Sequence, residues 1–452
     1  MNKTEIQNQL KKNPRWVSSQ IISRVENTDS YLDKLIENEF KSDNLNDKDK
    51  KLLNELTNGV IRNKLRIDWV IKQFYKGDFI KINPVIKNTL RVAIYQFLFC
   101  DKIPEYAIVN EAVESIKLAI NEKQSKLVNA ILRNILRQKD KISFPDPDKD
   151  RIQYLSVYHS HPDWLVKRWV DRYGYDSTEI MLVHNNKPKD TSIRINFLKT
   201  NREKVELELI SKKIKFERTE LSDRFLTIKN IGELSTLDLF TNGEIYIQDI
   251  SAGLPVILLD PQEGERIIDF CAAPGGKTTF IAEMMKNKGE IIAIDVYDKR
   301  LKILDENSNR LGISIIKSIA YDARTVSLDI ADRVLVDAPC SGFGTLSKKP
   351  DIKWKQNWQQ VEKLNQLQYE ILCNASRHVK TGGVLVYSTC TIEPEENENI
   401  ISKFLESHTN FEIENANNFI SSSVVNEKGF IQTLPHIHNV DGSFAARLRR
   451  MY

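Results

Sequence analysis

The sequence has few cysteines and none of them form a close pair. Only five cysteines occur in 452 residues, and the nearest two are 17 positions apart. A disulfide framework or a zinc knuckle needs cysteines at short, regular spacing. The histidine pairs His159/His161 and His436/His438 have no cysteine nearby to complete a ligand set. We therefore predict no metal site and a reducing compartment.

The sequence also lacks a long apolar run. No stretch approaches the roughly 20 apolar residues that a membrane helix needs. Residues 1–13 are polar, without the apolar core of a signal peptide. The net charge of +4 is small, so it permits nucleic-acid binding through local patches but does not demand it. We expect a monomeric, cytoplasmic protein that is not attached to a membrane.

Glycine is nearly absent from residues 1–140, where Gly59 and Gly77 are the only two. Apolar residues recur in this region at intervals of three and four, which is the helical period. Pro84 and Pro104 fall where helices should begin or end. The pattern predicts an all-helical domain.

The rest of the chain changes character twice. Residues 141–150 form a polar, proline-containing linker, and residues 151–245 mix helical stretches with alternating runs, which predicts a small α/β domain. From residue 246 to 452, short apolar strands alternate with helices, which is typical of an open, largely parallel Rossmann-like sheet. The predicted strands of this third domain are residues 266–270, 290–295, 333–337 and 384–388.

A turn of small residues joins the first of these strands to a helix. It comprises Cys271, Ala272, Ala273, Pro274, Gly275, Gly276 and Lys277. Such a turn lets a ligand approach the backbone and the helix N-terminus. The chain lacks the dinucleotide fingerprint, and Cys271 stands where a P-loop has its first glycine. An NTPase is therefore disfavoured.

Aspartates follow the next strands of the predicted sheet. Asp295 lies 19 positions after Gly276, where a carboxylate would receive ribose hydroxyls. Asp322 follows the next apolar run, within reach of an adenine amino group, and Asp337 ends the strand after that. Taken singly, Asp295 and Asp322 are equally well explained as polar strand ends. Together with the glycine turn they favour a nucleoside site.

Two cysteines, Cys340 and Cys390, follow strands at the same edge. A thiolate that adds to C6 of cytosine makes C5 nucleophilic enough to take a methyl group. Asp337 precedes Cys340 by three residues and could bond the N3 and amino edge of the base. A free cysteine is more commonly a small buried hydrophobe, and we predict that role for Cys100 and Cys373.

These motifs resemble those of the RNA 5-methylcytosine methyltransferases. The resemblance covers residues 269–278, 337–342 and 388–398. Upstream, short strings between residues 90 and 133 look like the helical domain of the antitermination factor NusB. Together with the C-terminal string at residues 441–448, the whole is similar to the bacterial small-subunit rRNA cytosine-C5 methyltransferases.

The resemblance implies a reaction, a cofactor and a partner. The methyl donor would be S-adenosylmethionine (SAM), the partner small-subunit ribosomal RNA, and the two N-terminal domains would bind RNA. The family's nucleophile corresponds to Cys390, and the cysteine that assists product release corresponds to Cys340. Asp337 would act beside them. The cofactor would be held by the turn from Cys271 to Lys277 with Asp295, Arg300, Asp322 and Asp337.

RNA contacts are predicted from basic and aromatic residues. After the Cys340 turn come Lys348, Lys349, Lys353 and Trp354, which could bind phosphates and stack a base. A solvated basic loop explains them equally well. Further candidates are Arg133, Arg137, Arg447, Arg449 and Arg450.

Two other functions remain open at the level of the sequence. A tRNA cytosine methyltransferase would use the same chemistry. A non-catalytic RNA-binding factor would use only the helical domain, with the sheet as a relic. The intact set of aspartates and cysteines weighs against the second of these.

Overall fold

The computed structural model describes residues 2–42, 44–229 and 234–452, except the side chains of Lys3 and Ser235. Met1, with which the predicted helical domain begins, lies outside the described residues. The chain divides into two compact units, Met1–Lys187 with Leu346–Lys355, and Pro188–Thr345 with Gln356–Tyr452. In the described ranges, every helix is too short or too polar to traverse a bilayer.

Helices are found in both units. In chain order they are α1 Lys3–Lys11, α2 Pro14–Asn27, α3 Leu32–Phe40, α4 Asp47–Arg62, α5 Lys64–Phe74, α6 Pro84–Phe99, α7 Glu105–Ala119, α8 Glu122–Arg137, α9 Arg151–Tyr158, α10 Asp163–Tyr173, α11 Tyr175–Asn185, α12 Arg202–Ser211, α13 Asp238–Thr241, α14 Ile250–Leu259, α15 Gly276–Met284, α16 Asp298–Leu311, α17 Ile352–Lys355, α18 Trp358–Ser376, α19 Glu398–Ser407 and α20 Pro435–His438.

The strands form two sheets, both in the second unit. In chain order they are β1 Thr191–Ile195, β2 Phe216–Arg218, β3 Phe225–Ile228, β4 Ile245–Ile247, β5 Arg266–Phe270, β6 Glu290–Asp295, β7 Ile316–Ala320, β8 Ala331–Asp337, β9 Val379–Thr389, β10 Phe411–Glu414, β11 Ile431–Thr433 and β12 Ser443–Arg450.

The first unit contains the predicted helical bundle. Pro84 occupies the first turn of α6, where its missing N–H is not needed, and the side chain of Asn83 accepts a hydrogen bond from the helix. Apolar faces of α2 to α8 form one buried core. Within it Arg91 makes a bidentate pair with Asp68, at 2.6 and 2.7 Å. The prediction that this N-terminal region is helical is confirmed.

A short segment from the C-terminal half of the chain also belongs to this first unit. Residues 346–355 include α17, whose Lys353 Nζ donates to the carbonyl of Arg62 at 2.9 Å. Trp354 Nε1 donates to the carbonyl of Ile61 at 2.8 Å. Both side chains thus satisfy carbonyls in the last turn of α4, where cations are favoured. Lys353 is only 1% exposed, so its predicted contact with RNA is wrong.

The second unit begins with a small antiparallel sheet in the order β2-β3-β1-β4. The alternating run at residues 191–197 predicted a strand, and β1 confirms it. Its apolar side chains pack with those of α12 in a core of their own. This part of the second unit is a small α/β body, which confirms that component of the predicted fold class. The helices α9 to α11, which the sequence analysis assigned to the same domain, belong to the first unit.

The large sheet has the order β10-β12-β9-β8-β5-β6-β7, with β11 paired to β12. Strands β5 to β9 pair in parallel, which confirms the predicted parallel core. The strand order reverses direction between β5 and β8, so the carboxyl ends of these strands flank a topological switch point. Open α/β sheets bind their ligands at such a point.

Arg194 of β1 fastens the small sheet to α15. It is fully buried, and its guanidinium pairs with Glu283 of α15 at 2.8 Å. The same group donates to the carbonyl of Gly276 at 2.7 Å and to Thr279 Oγ1 at 3.0 Å. A buried charge needs this many partners, because each unsatisfied donor would carry its full desolvation cost. The small sheet is therefore in direct contact with the N-terminal turn of α15, through Arg194.

We expect Arg194→Met to lower the free energy of unfolding by about 3–5 kcal/mol, because it leaves a buried carboxylate without its partner. The double variant Arg194→Met/Glu283→Leu should recover most of that loss. Urea denaturation of the three proteins measures both effects. Arg218→Met is the matched control, since Arg218 pairs with Glu206 at the surface and should cost at most about 1 kcal/mol. Equal losses in the single and double variants would contradict the argument.

Candidate active site

The glycine turn leads from the end of β5 into α15. Gly275 has φ +101°, a left-handed conformation that glycine adopts without strain. A Cβ at this position would lie 2.7 Å from Leu304 Cγ of α16, so α16 packs directly against the turn. The first N–H groups of α15 therefore face the carboxyl edge of the sheet, where anions and polar ligands bind.

Asp295 ends β6 and stabilises the glycine turn through hydrogen bonds. Its carboxylate accepts hydrogen bonds from the N–H of Ala273 at 3.2 Å and of Tyr297 at 3.0 Å. Arg300 lies 3.6 Å from the same carboxylate and also donates to the carbonyl of Ala273. Three of the predicted cofactor residues are thus in contact.

Asp322 follows β7 and lies next to Asp295 along the sheet edge. The adjoining residue, Tyr321, donates its N–H to the carbonyl of Asp295 at 3.1 Å. Arg324 binds the Asp322 carboxylate at 2.6 Å, and that hydrogen bond lowers the pKa of Asp322. The carboxylate therefore stays ionised at neutral pH. The two predicted acids lie at neighbouring strand ends, as a nucleoside site requires.

Asp337 ends β8 and pairs with Lys277 of the glycine turn. Lys277 Nζ lies 2.7 Å from Asp337 Oδ1, and Ser388 Oγ donates to the same oxygen at 3.2 Å. Burial alone would lower the pKa of Lys277, but the Asp337 carboxylate raises it overall. Lys277 therefore keeps its positive charge at the switch point, in contact with the Asp337 carboxylate.

The two predicted cysteines are in contact. Cys340 Sγ lies 3.1 Å from Cys390 Sγ and accepts a hydrogen bond from the N–H of Cys390 at 3.3 Å. Cys390 is exposed, whereas Cys340 is half-buried. The hydrogen bond to Cys390, together with burial, raises the pKa of Cys340 well above its ordinary value. The exposed Cys390 and the half-buried Cys340 thus form one sulfur pair at the edge of the sheet.

Close backbone packing holds the two cysteine loops together. The N–H of Gly344 donates to the carbonyl of Cys390 at 3.1 Å, and its own carbonyl accepts from Gly442 at 2.8 Å. A Cβ on Gly344 would lie 1.9 Å from the Gly442 carbonyl oxygen, so only glycine fits. The C-terminal string at residues 441–448 thus contributes to the site through its backbone.

Two buried side chains of the site were missed by the sequence analysis. Glu396 follows Pro394 and Glu395, a composition that is typical of the first turn of a helix. In the structure residues 394–396 form a 3-10 turn and α19 begins only at Glu398. Glu396 points inward and bonds Ser341 of the Cys340 loop. Its partner Gln368, in the middle of α18, has no sequence signal at all.

Asp269, the last polar residue of β5, was treated only as part of a motif. It is fully buried, and Oδ2 accepts a hydrogen bond from Thr278 Oγ1 at 2.6 Å. Oδ1 is buried without a protein partner. Burial raises the pKa of Asp269 to about 7. The position thus combines an orphaned acceptor with an uncommonly weak acid directly beneath the glycine turn.

The polar groups at the switch point fit a nucleoside cofactor such as SAM. The Asp295 carboxylate retains lone pairs for ribose hydroxyls, and Oδ1 of Asp269 is a buried acceptor without a protein partner. In the parts of the chain that the structure describes, no cluster of three or more His, Cys, Asp or Glu side chains is arranged to hold a metal.

The predicted RNA contacts divide by exposure. Lys348, Lys349, Arg133 and Arg137 are exposed. Arg447 is 2% exposed, with its guanidinium bound to Glu414 and to the carbonyl of Leu258. Its predicted contact with RNA is therefore wrong. Arg449 and Arg450 donate to the backbone carbonyls of residues 382 and 379, which favours a structural role on the last strand.

The described geometry is that of a SAM-dependent methyltransferase, and comparisons with known proteins agree. Residues 256–449 match the family described as 16S rRNA methyltransferase RsmB/F. Residues 12–137 match the NusB family, and residues 161–234 match the ferredoxin-like domain of RsmF/B-like methyltransferases.

Relatives match over nearly the whole chain. The probable ribosomal RNA small subunit methyltransferase B of Bacillus subtilis (strain 168) is 35% identical, over 96% of this chain and 98% of the relative. The solved structure of PH0851 is 31% identical with a TM-score of 0.81, and covers 97% of this chain and 99% of that one. The structure of NSun6 from Pyrococcus horikoshii with SFG is 25% identical with a TM-score of 0.59, over 64% and 98% of the two chains.

The chain belongs to the ribosomal RNA small subunit methyltransferase B family. It is an enzyme with a NusB-like helical domain, a small ferredoxin-like domain and a C-terminal methyltransferase domain. The predicted family and fold class are confirmed. The exact domain limits and the roles of individual site residues stay predictions.

Asp269 makes the stability of the chain depend on pH. Its folded-state pKa, about 7, lies above the ordinary value of 3.8. Its contribution is therefore fully present below about pH 4 and is lost as the pH rises through 7. Between about pH 5.5 and pH 8 the loss should be about 2 kcal/mol. Asp269→Asn should remove this part of the pH dependence.

Urea denaturation of the Asp269→Asn variant and the wild type at both pH values measures the effect. Asp329→Asn, which changes an exposed aspartate, is the control and should keep the wild-type trend. The idea is wrong if Asp269→Asn shows the same loss of stability with pH as the wild type.

Proposed function

We propose that the chain transfers a methyl group from SAM to C5 of a cytosine in small-subunit ribosomal RNA, through a covalent bond between Cys390 and C6. The observation that carries the proposal is the contact between Cys390 and Cys340 at the carboxyl edge of the sheet, 3.1 Å between sulfurs. Asp337 ends β8, the strand that leads to Cys340, and pairs with Lys277 of α15.

Cys390 is the better nucleophile of the pair. Its side chain is exposed, so a base that has left its helix can reach it. Cys340 Sγ lies within hydrogen-bond distance of Cys390 Sγ, at 3.1 Å. A hydrogen bond from a neighbouring thiol stabilises a thiolate, and the thiolate is the reactive form of cysteine.

Addition of Cys390 to C6 breaks the C5–C6 double bond and moves electron density to C5 and the N3 edge. The Asp337 carboxylate accepts a hydrogen bond from the amino group and fixes the base. The ammonium of Lys277, 2.7 Å from that carboxylate, offsets the negative charge that develops. When bound, SAM supplies the electrophilic methyl group that C5 takes.

After methyl transfer C5 carries both a hydrogen and a methyl group. Water takes the C5 proton, the electrons of the C5–H bond re-form the C5–C6 double bond, and the Cys390 sulfur leaves as a thiolate. This restores the aromatic ring and frees the enzyme. Cys340 touches Cys390 and is therefore within reach of the atoms involved in this elimination. A separate cysteine for release explains why the site holds two.

Ribosomal RNA of the small subunit is the substrate favoured by the family. The Bacillus subtilis relative carries that substrate in its name, and the match extends through the NusB-like domain to both ends of the relative. A tRNA cytosine methyltransferase would have the same catalytic centre. The NusB-like domain is the feature that favours rRNA.

The test is methylation in vitro. Purified protein, SAM and unmodified small-subunit rRNA are incubated, the RNA is digested, and 5-methylcytosine is sought by mass spectrometry, with unmodified tRNA in parallel. We expect the product in rRNA alone. Product in tRNA alone would overturn the substrate while leaving the mechanism, and a methylated base other than 5-methylcytosine would overturn both.

Replacement of each of the two cysteines should impair a different step of the reaction. We expect Cys390→Ala to reduce turnover below about one-thousandth of the wild-type rate, because it removes the nucleophile. Cys340→Ala should still add to the base but release it slowly, and so accumulate a covalent RNA adduct. Denaturing gels detect the adduct, and mass spectrometry of the adducted peptide identifies the attached residue.

Cys373→Ala is the matched control, because Cys373 lies in α18 and takes no part in the site. It should turn over like the wild type, without an adduct. An adduct in Cys390→Ala and none in Cys340→Ala would reverse the two roles.

A further inference from the structure

One pair of side chains holds the backbone on both sides of Cys340. Gln368 Nε2 donates to the carbonyl of Pro339 at 2.9 Å, and Glu396 Oε1 accepts from the N–H of Ser341 at 2.7 Å. Gln368 Nε2 also donates to Glu396 Oε1 at 3.0 Å. The residues before and after Cys340 are thus tied to a single hydrogen-bonded unit.

The same carboxylate reaches the loop of Cys390. Its second oxygen, Oε2, accepts from Ser341 Oγ at 2.5 Å, and Ser341 Oγ lies 2.8 Å from Thr391 Oγ1. Thr391 adjoins Cys390 in the chain. Glu396 itself lies six residues after Cys390, so the network closes a loop between the ends of β8 and β9.

Burial shows what this network can and cannot do. Glu396, Gln368 and Thr391 are 0% exposed and Ser341 is 1% exposed, so none of them can touch a base or a cofactor. A carboxylate is costly to bury unless several hydrogen bonds compensate. Three donors surround the Glu396 carboxylate here, two from Ser341 of the Cys340 loop and one from Gln368 of α18.

We propose that Glu396, together with Gln368, is a positioning residue that holds Cys340 against Cys390 and thereby sets the rate at which the methylated base is released. The inference rests on the proposed function, since release through Cys340 is part of it. The two cysteine loops leave the sheet side by side, but nothing in the strand pairing fixes the last few ångströms between the sulfurs. The backbone hydrogen bonds of Gly344 and Cys390 tie the loops together at one side. The buried carboxylate adds a second constraint, on the residues that flank Cys340.

The first test measures the sulfur contact without any reaction on RNA. Diamide oxidises two adjacent thiols to a disulfide, and the rate reports how often the sulfurs meet. We expect the Cys340–Cys390 disulfide, identified by peptide mass spectrometry, to form about tenfold more slowly in Gln368→Met and in Glu396→Leu than in the wild type. Glu396→Gln keeps one acceptor oxygen for the N–H of Ser341. Its oxidation rate should therefore lie between that of the wild type and that of Glu396→Leu.

Matched controls come from the exposed face of α18. Gln366→Met and Glu362→Gln change the same residue types at exposed positions and should oxidise like the wild type. Gln368→Met preserves side-chain length and removes only polar contacts, so it serves if Glu396→Leu fails to fold. Wild-type oxidation rates in Gln368→Met and Glu396→Gln, with SAM binding and melting temperature retained, would overturn the proposal.

The second test follows the covalent adduct on rRNA. We expect Gln368→Met and Glu396→Gln to form the adduct at nearly the wild-type rate and to release it about tenfold more slowly. A merely structural role would lower SAM binding and adduct formation together. Adduct release at the wild-type rate in both variants would overturn the proposed positioning role.

The two tests separate the two hypotheses. If Cys340→Ala traps no adduct, the proposed chemistry fails, while the oxidation rates still decide whether Glu396 positions the sulfurs. If Cys340→Ala traps an adduct and the Glu396 and Gln368 variants change neither rate, the chemistry stands and the positioning role fails.

Discussion

The parallel pairing of β8 with β9 is the constraint on which the rest of the site depends. Asp337 is paired with Ser388 in that register, so Cys340 and Cys390 leave the sheet at nearly the same height. A shift of one residue would move every side chain of the strand to the opposite face. The apolar side chains of both strands are buried on both faces, which makes such a shift costly. The register of the sheet thus sets the relative position of Cys340 and Cys390.

Electrostatics at the switch point follow from the same crowding. Parallel strands end at one edge, so Asp269, Asp295 and Asp337 are forced close together. The protein resolves their repulsion in three ways: Asp269 becomes a weak acid under burial, Asp295 binds backbone N–H groups, and Asp337 pairs with Lys277. A buried carboxyl group with a raised pKa, such as that of Asp269, is typical of functional sites.

Much of this could be predicted from the sequence because its signals are local. Strands β5 and β6 and the turn between β5 and α15 are each encoded by consecutive residues, and the sequence prediction found them. The cysteines were placed at one edge but not in contact, since the pairing of β8 with β9 joins residues 51 positions apart. Glu396 and Gln368 were missed because the identity of a polar residue does not show whether its side chain is buried or exposed. The predicted RNA contact of Lys353 was wrong for the same reason. A lysine is expected at the surface, and this one is buried.

The segment at residues 346–355 has a consequence for how the enzyme is divided. Neither compact unit is a continuous stretch of chain, because the segment leaves the catalytic unit after Thr345 and returns at Gln356. A fragment cut at residue 187 would carry these ten residues without the helices that bury Ile352 and Lys353. It would expose the side chains of this segment only a few residues beyond Cys340. The helical part therefore completes the burial of a segment that, along the chain, lies inside the catalytic part.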